Sequence, residues 1–493
     1  MSFFNNVIWS LSGTIGVRII GLLTSILLAR LLTPEIFGIV GMAMVIVGFI
    51  YVVQEAGLSS VLIQRKSINK TLVVTTFYMN IIFSLLLIVL LIILAPFIAD
   101  FYKQSAVKTL LYFSSIGIFI GALGITERGL LTRDKKFKKL TSIDLVAEVT
   151  TSLFSIILAL LGYWMLAVGL SILFRPAIQS LSLFLVAGFN NVKGKPDFKL
   201  AKDILPYSLN VQGTRIINFA RNNVDYLIIG KILGSSSLGI YTIAFQWSTV
   251  ARFYFSQAIA NVAFPEIARN QNDFNKVGII YTNIIRKISF ITFPLCMGIA
   301  CVADEFIMVL YGDRWLEVIP VLQVLMLAGM ITSIGTVVGS VYKGIGRPDI
   351  ELKVNVYSLI SFIILILILG NAYGLIGVAY AVLINTIIFN IVMTTTLFKI
   401  INLKFNVFIK SLKNAFYSTI LMSVLLYLIK PMISNEFNFT LTLIILVLLG
   451  FMFYLFATYI FNKQMLYWVI DKAASFKRKK QFRGVNDEIY KSR

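Results

Sequence analysis

Arg18, Arg175, Arg215, Arg221 and Arg252 each fall inside a long apolar stretch of this 493-residue chain. A guanidinium stays charged at any working pH and presents a planar fork that grips two phosphate oxygens at once. Several arginines converging in an apolar setting therefore imply an anionic substrate group, unless each is taken up by a carboxylate from a neighbouring helix. Carboxylates are at hand. Glu55, Glu127, Asp144, Glu148 and Asp225 lie in the same kind of stretch, suited either to carry a proton or to form an ion pair.

The segment 204–232 is the richest. At about 100° per residue, Tyr207, Asn210, Thr214, Asn218, Arg221 and Asp225 fall within an arc of about 80°, with Arg215 to one side. Arg221 and Asp225, four apart, can neutralise each other; Arg215 has no acid three or four positions away in its own segment. The first apolar segment carries a small, polar face of Ser10, Thr14, Arg18, Gly21 and Ser25. Arg175 is followed by Pro176, which removes a backbone hydrogen bond. Arg128 and Glu127 can form an ion-pair cluster with Asp144, and Asp144 and Glu148 lie one helical turn apart.

The elements that hold these residues follow from hydrophobicity. The chain is 58% hydrophobic and only 13% charged, which leaves no soluble core to build and makes lipid the expected solvent. Apolar runs of helical length recur about fourteen times, each near the roughly 20 residues that span a bilayer. The expected fold is an all-α integral membrane protein. Residues 1–190 form a lobe of six helices, 191–203 a cytoplasmic linker, 204–398 a second six-helix lobe, 399–462 two extra helices and 463–493 a basic tail. A repeat supports the two lobes: Ala29-Arg30-Leu31-Leu32 and Phe37-Gly38-Ile39 align, 201 residues on, with Gly230-Lys231-Ile232-Leu233 and Leu238-Gly239-Ile240.

The net charge of +22 is topological rather than a nucleic-acid surface, since basic and aromatic residues do not interleave. One alternate set of connectors holds about nineteen Lys and Arg against about six in the other, which places both termini in the cytoplasm. The basic tail Lys477-Arg478-Lys479-Lys480 is expected against the anionic inner leaflet. The N-terminal MSFFNNVIWSLSG has no basic n-region, so the first helix serves as targeting signal. With no histidine, imidazole metal ligands and His bases are excluded, and Cys296 and Cys301 form no disulfide framework. Gly344-Ile345-Gly346 lacks the strand-to-helix setting of a nucleotide loop. No catalytic residue, metal or cofactor is expected.

Ala29-Arg30-Leu31-Leu32-Thr33-Pro34-Glu35 with Phe37-Gly38, the basic loop Leu131 to Leu140, and Gly162-Tyr163-Trp164-Met165-Leu166-Ala167 together resemble the Wzx-type polysaccharide flippases. These belong to the multidrug, oligosaccharidyl-lipid and polysaccharide exporter superfamily. The resemblance implies two six-helix bundles around a cavity that opens alternately inward and outward in a bacterial inner membrane. It implies as cargo an isoprenoid-diphosphate-linked oligosaccharide for cell-surface polysaccharide synthesis, with membrane lipid and polysaccharide polymerase machinery as partners. Related lipid II flippases place an arginine in the first helix, a pattern that Arg18 matches loosely. On this reading the diphosphate docks on Arg18, Arg215 and either Arg221 or Arg252. The alternatives are a cation-coupled multidrug exporter of the same superfamily, which prefers acids to arginines at mid-depth, and a membrane polymerase, which needs a larger outer loop than 303–315.

Overall fold

The computed structural model describes residues 3–54, 61–63, 65, 67–188, 193–251, 256–467 and 471. Glu55, Arg252 and the basic run Lys477-Arg478-Lys479-Lys480 lie outside the described residues, as do the side chains of Tyr207, Asn210 and Thr214. Among the described residues the regular structure is entirely helical. In chain order the helices are α1 (Phe3–Leu31), α2 (Pro34–Gln54), α3 (Lys70–Tyr102), α4 (Ser105–Arg133), α5 (Phe137–Leu160) and α6 (Trp164–Ala187). There follow α7 (Phe198–Ile232), α8 (Gly234–Ala251), α9 (Gln257–Arg269), α10 (Phe274–Cys301) and α11 (Ala303–Leu310). The last are α12 (Val318–Gly344), α13 (Pro348–Ile401), α14 (Phe405–Glu436) and α15 (Phe439–Phe461).

Helix starts coincide with polar residues that satisfy otherwise orphaned N–H groups. Asn69 accepts from Leu72 N at 2.8 Å, Asp273 from Lys276 N at 3.0 Å and Asn438 from Leu441 N at 3.0 Å. Eleven helices among the described residues are long and apolar enough to cross a membrane, against the fourteen spans expected. The difference has physical causes. α13 is two helices joined at Gly374, whose φ of 60° breaks the helical run, so the expected pair 351–370 and 374–398 counts once. α7 bears the polar stripe, which lowers its apolarity, and the described part of α8 ends at Ala251.

The outer surface is apolar as well as the core. α3 exposes Leu86, Ile93 and Phe97, and α15 exposes Leu448 and Phe451, as a lipid-facing surface requires. Polar side chains turn inward instead: Gln54 Nε2 donates to Ser84 Oγ at 2.9 Å and to the Ile118 carbonyl at 2.7 Å, tying α2, α3 and α4 together.

By contact the chain divides into two units. The first comprises Met1–Thr242 with Leu310–Trp315 and Ile366–Leu375; the second comprises Ile243–Val309, Leu316–Leu365 and Ile376–Arg493. In the first unit α4 packs on α3 and α6, α5 on α1 and α6, and α2 on α7. In the second, α10 packs on α12 and α14, and α14 on α15. The contact boundary at Thr242 thus differs from the repeat boundary at 190–203, because α7 packs on α2 and α3.

The 201-residue offset is written into the first unit as a reciprocal contact. A Cβ on Gly38 would collide with the Ser235 carbonyl oxygen, and one on Gly239 with the Pro34 carbonyl oxygen. Residues 34 and 235 are related by the same offset as 38 and 239. Arg30 Nε donates to the Leu310 carbonyl at 2.9 Å and Lys231 Nζ to the Phe101 carbonyl at 2.7 Å, again an equivalent pair of cations. Buried Trp315 donates through Nε1 to the Ala29 carbonyl at 2.9 Å, fixing the α1–α2 turn.

Candidate functional site

α5 and α6 are antiparallel and face each other through a ladder of matched polar residues. On α5, Asp144 and Glu148 are four apart; on α6, Arg175 and Gln179 are four apart. Spacing of one turn puts each pair on one helix face. Glu148 Oε2 meets Arg175 at 2.9 Å, and Asp144 Oδ1 accepts from Gln179 Nε2 at 3.0 Å. Asp144 also holds Arg128 of α4 in a two-point grip, at 2.9 Å and 2.5 Å. α1 closes on the same face of α5 through small residues: positions where a Cβ on Gly13, Gly16 and Gly21 would sit press on Thr141, Leu145 and Glu148. This brings Arg18 beside the ladder.

These helices, with α2, enclose a cavity of about 1300 Å³. Arg18, Arg128, Arg175, Asp144 and Glu148 line it, giving a net charge of +1 among the described residues. Gln54, Tyr51 and Gln179 complete its polar girdle. The acids sit behind their partners. The Arg175 side chain is 45% exposed against 10% for Glu148, and Arg128 41% against 22% for Asp144, so each carboxylate holds a guanidinium outward into the cavity. Such a surface can bind a dianionic headgroup by two-point hydrogen bonds while its carboxylates keep the arginine planes oriented.

The structure therefore brings together Arg18, Arg175, Asp144 and Glu148 of the residues singled out in the sequence. Arg215, Asn218, Arg221 and Asp225 on α7 are not in the lining of this cavity. Asp225 is buried, accepts from Tyr241 Oη of α8 at 2.6 Å and from Tyr226 N at 3.0 Å, and so works in joining α7 to α8. Glu127 is fully buried in α4, next to Arg128. Glu55 and Arg252 are outside the described residues. Sequence reasoning treated Arg128 only as an ion-pair partner and passed over Gln179 and Gln54. The signal for Gln179 was present, four residues beyond Arg175 as Glu148 is four beyond Asp144.

A second, smaller cavity of about 690 Å³ lies in the other unit. There Lys430 of α14 reaches Asp304 at 2.5 Å, Glu305 at 3.0 Å and the Cys301 carbonyl at 3.1 Å, and Ser434 Oγ donates to Glu305 at 3.2 Å.

Comparison with known proteins gives the geometry a family. The lipopolysaccharide biosynthesis protein WzxC of Escherichia coli is 28% identical over 78% of this chain and 79% of its own length. The teichuronic acid biosynthesis protein TuaB of Bacillus subtilis is 26% identical over 77% of this chain and 79% of its own. Among solved structures, the lipid II flippase MurJ in an inward closed conformation has the same fold, with a TM-score of 0.78 at 19% identity over 93% of this chain and all of its own. An inward-facing transporter of the multidrug resistance MATE family superposes at 0.57 and 18% identity, over 82% of this chain and 95% of its own. The family model for polysaccharide biosynthesis proteins matches residues 27–320, more than half of the chain, and the chain belongs to that family.

Proposed function

We propose that the chain is a membrane transporter, not an enzyme, that flips an isoprenoid-diphosphate-linked oligosaccharide from the inner to the outer leaflet of a bacterial inner membrane by alternating access. One observation carries this: a large cavity within the helical bundle whose net charge is positive and in which Arg175 and Arg128 are more exposed than the acids that pair with them. Arg18 and Arg175 are the residues assigned to the diphosphate, with Arg128 beside them. Glu148 and Asp144 orient these cations, and Glu148 is the carboxylate that the diphosphate displaces from Arg175. The names of WzxC and TuaB, both proteins of surface-glycan biosynthesis, support the cargo class. The charge bias of the connectors supports a cytoplasmic position for both termini.

A cation-coupled exporter is favoured by the two carboxylates in the cavity, but each of them is already engaged by an arginine, which leaves a cationic rather than an anionic surface. The test is reconstitution of purified protein in liposomes with lipid-linked oligosaccharide extracted from the parent cells. Protein-dependent exposure of the sugar to a lectin added outside is expected. Exposure at the rate of empty liposomes, with intact protein, contradicts the proposal.

A further inference from the structure

The second cavity carries a charge that its own residues do not balance. Residues of α10, α11, α12 and α14, all within the second unit, line it, and the charged ones are Asp304, Glu305 and Lys430, two carboxylates against one ammonium. Three acceptors surround Lys430: Asp304 Oδ2 at 2.5 Å, Glu305 Oε2 at 3.0 Å and the Cys301 carbonyl at 3.1 Å. An ammonium has three donors, so Lys430 has none to spare for a guest. A phosphate or other anion entering here meets surplus negative charge and no free cation among the described lining residues, so its desolvation goes uncompensated.

What the cavity does offer is acceptors. Asp304 is 49% exposed and Lys430 meets its Oδ2, which leaves Oδ1. Gln323 of α12, also exposed, turns Nε2 to the Ala300 carbonyl at 3.3 Å, which leaves Oε1. Behind them Glu305, 3% exposed, accepts from Ser434 and faces Lys430, so it contributes charge rather than contact. The complementary ligand is a cation that donates several hydrogen bonds, a primary ammonium. A trimethylammonium has the charge but no N–H. A bare metal ion needs more oxygen ligands than these, and among the described residues no group of three or more His, Cys, Asp or Glu could hold one.

Depth adds a lipid to the ammonium. Lys430 lies about 37 Å along α14 from Phe405, so a helix that starts at one face of the roughly 30 Å hydrocarbon core reaches the headgroups of the other face at this level. Met297, Val324, Leu327 and Tyr427 give the cavity an apolar wall, and Tyr427 is 77% exposed. A free amine in water leaves that wall wet; an acyl chain covers it.

We propose that this cavity seats the headgroup of an aminophospholipid, with its ammonium on Asp304 and Gln323 and an acyl chain along Leu327 and Tyr427. The site lies in the other unit from the arginine cavity, and its occupancy does not depend on what that cavity carries.

Native mass spectrometry of the detergent-solubilised full chain tests it, with phosphatidylethanolamine, phosphatidylcholine and phosphatidylglycerol of identical acyl chains. Phosphatidylethanolamine should bind at least about fivefold more tightly than either of the others. Asp304→Asn and Gln323→Leu should each weaken its binding about fivefold without weakening that of phosphatidylglycerol. Gln323→Leu touches no ion pair, so it reads the site without disturbing the hold of α14 on α10 and α11. Equal binding of the three lipids by wild type overturns the assignment, as does an undiminished phosphatidylethanolamine preference in either variant. Displacement of the bound lipid by an equal concentration of ethanolamine would give the site to a free amine and overturn the lipid.

Discussion

The arginine ladder of α5 and α6 and the lysine cluster of α14 use the same chemistry to opposite ends. In the ladder the acid is the buried member and the cation faces open space. In the cluster Lys430 is only 22% exposed and Glu305 3%, while Asp304 is the exposed member at 49%, and two carboxylates and a carbonyl surround the cation. An ion pair whose cation is the shielded member locks α14 to α10 and α11, and an ion pair with an outward cation presents a binding surface. Charge inside a membrane protein is thus read by which partner is left accessible, not by its presence alone.

The sharpest way to break this comparison is to remove one cation from each. Lys430→Met strands the buried Glu305 without its cation and should cost about 3–5 kcal/mol of stability. Thermal unfolding of the purified protein and its abundance in the membrane would show it, with flipping per molecule unchanged. Arg175→Ala should do the reverse: Glu148 opens onto a cavity and hydrates, abundance stays normal, and flipping in liposomes falls about a hundredfold, equivalent to about 2.7 kcal/mol. If Arg175→Ala is instead lost from the membrane while Lys430→Met is stable and inactive, the assignment of the two sites is inverted.

Smaller changes sharpen the distinction. Arg175→Lys keeps the charge but loses the fork, and should retain about a tenth of the wild-type flipping rate. Glu148→Gln raises the net charge of the lining from +1 to +2. It should tighten undecaprenyl diphosphate binding about two- to threefold, because the diphosphate no longer competes with a carboxylate for Arg175. Weaker binding by Glu148→Gln would show that orienting the guanidinium matters more than freeing it.

The helices were legible from the sequence because lipid imposes a length and an apolarity on each span, and Gly374 falls at the break already expected between 370 and 374. The candidate site was legible in part. Arg18, Arg175, Asp144 and Glu148 announce themselves as charges in apolar runs, but which acid takes which arginine depends on helix direction and level, which one segment does not encode. The stripe on α7 had the strongest periodicity. Among its members Asp225 is engaged by Tyr241, sixteen residues away across the α7–α8 turn, a contact that periodicity within α7 cannot show. The reciprocal packing of Gly38 and Gly239 was foreshadowed by the 201-residue repeat, because equivalent glycines at equivalent turns are free to approach each other's backbone.

The diphosphate is assigned to the outward-held arginines of the first unit. That assignment is tested most directly by native mass spectrometry of the detergent-solubilised protein with undecaprenyl diphosphate and with undecaprenyl monophosphate, comparing wild type with Arg18→Ala/Arg175→Ala. The diphosphate should bind wild type at least about tenfold more tightly than the monophosphate, and the double variant should lose this preference while folding normally. Undiminished preference for the diphosphate in the double variant would contradict the assignment.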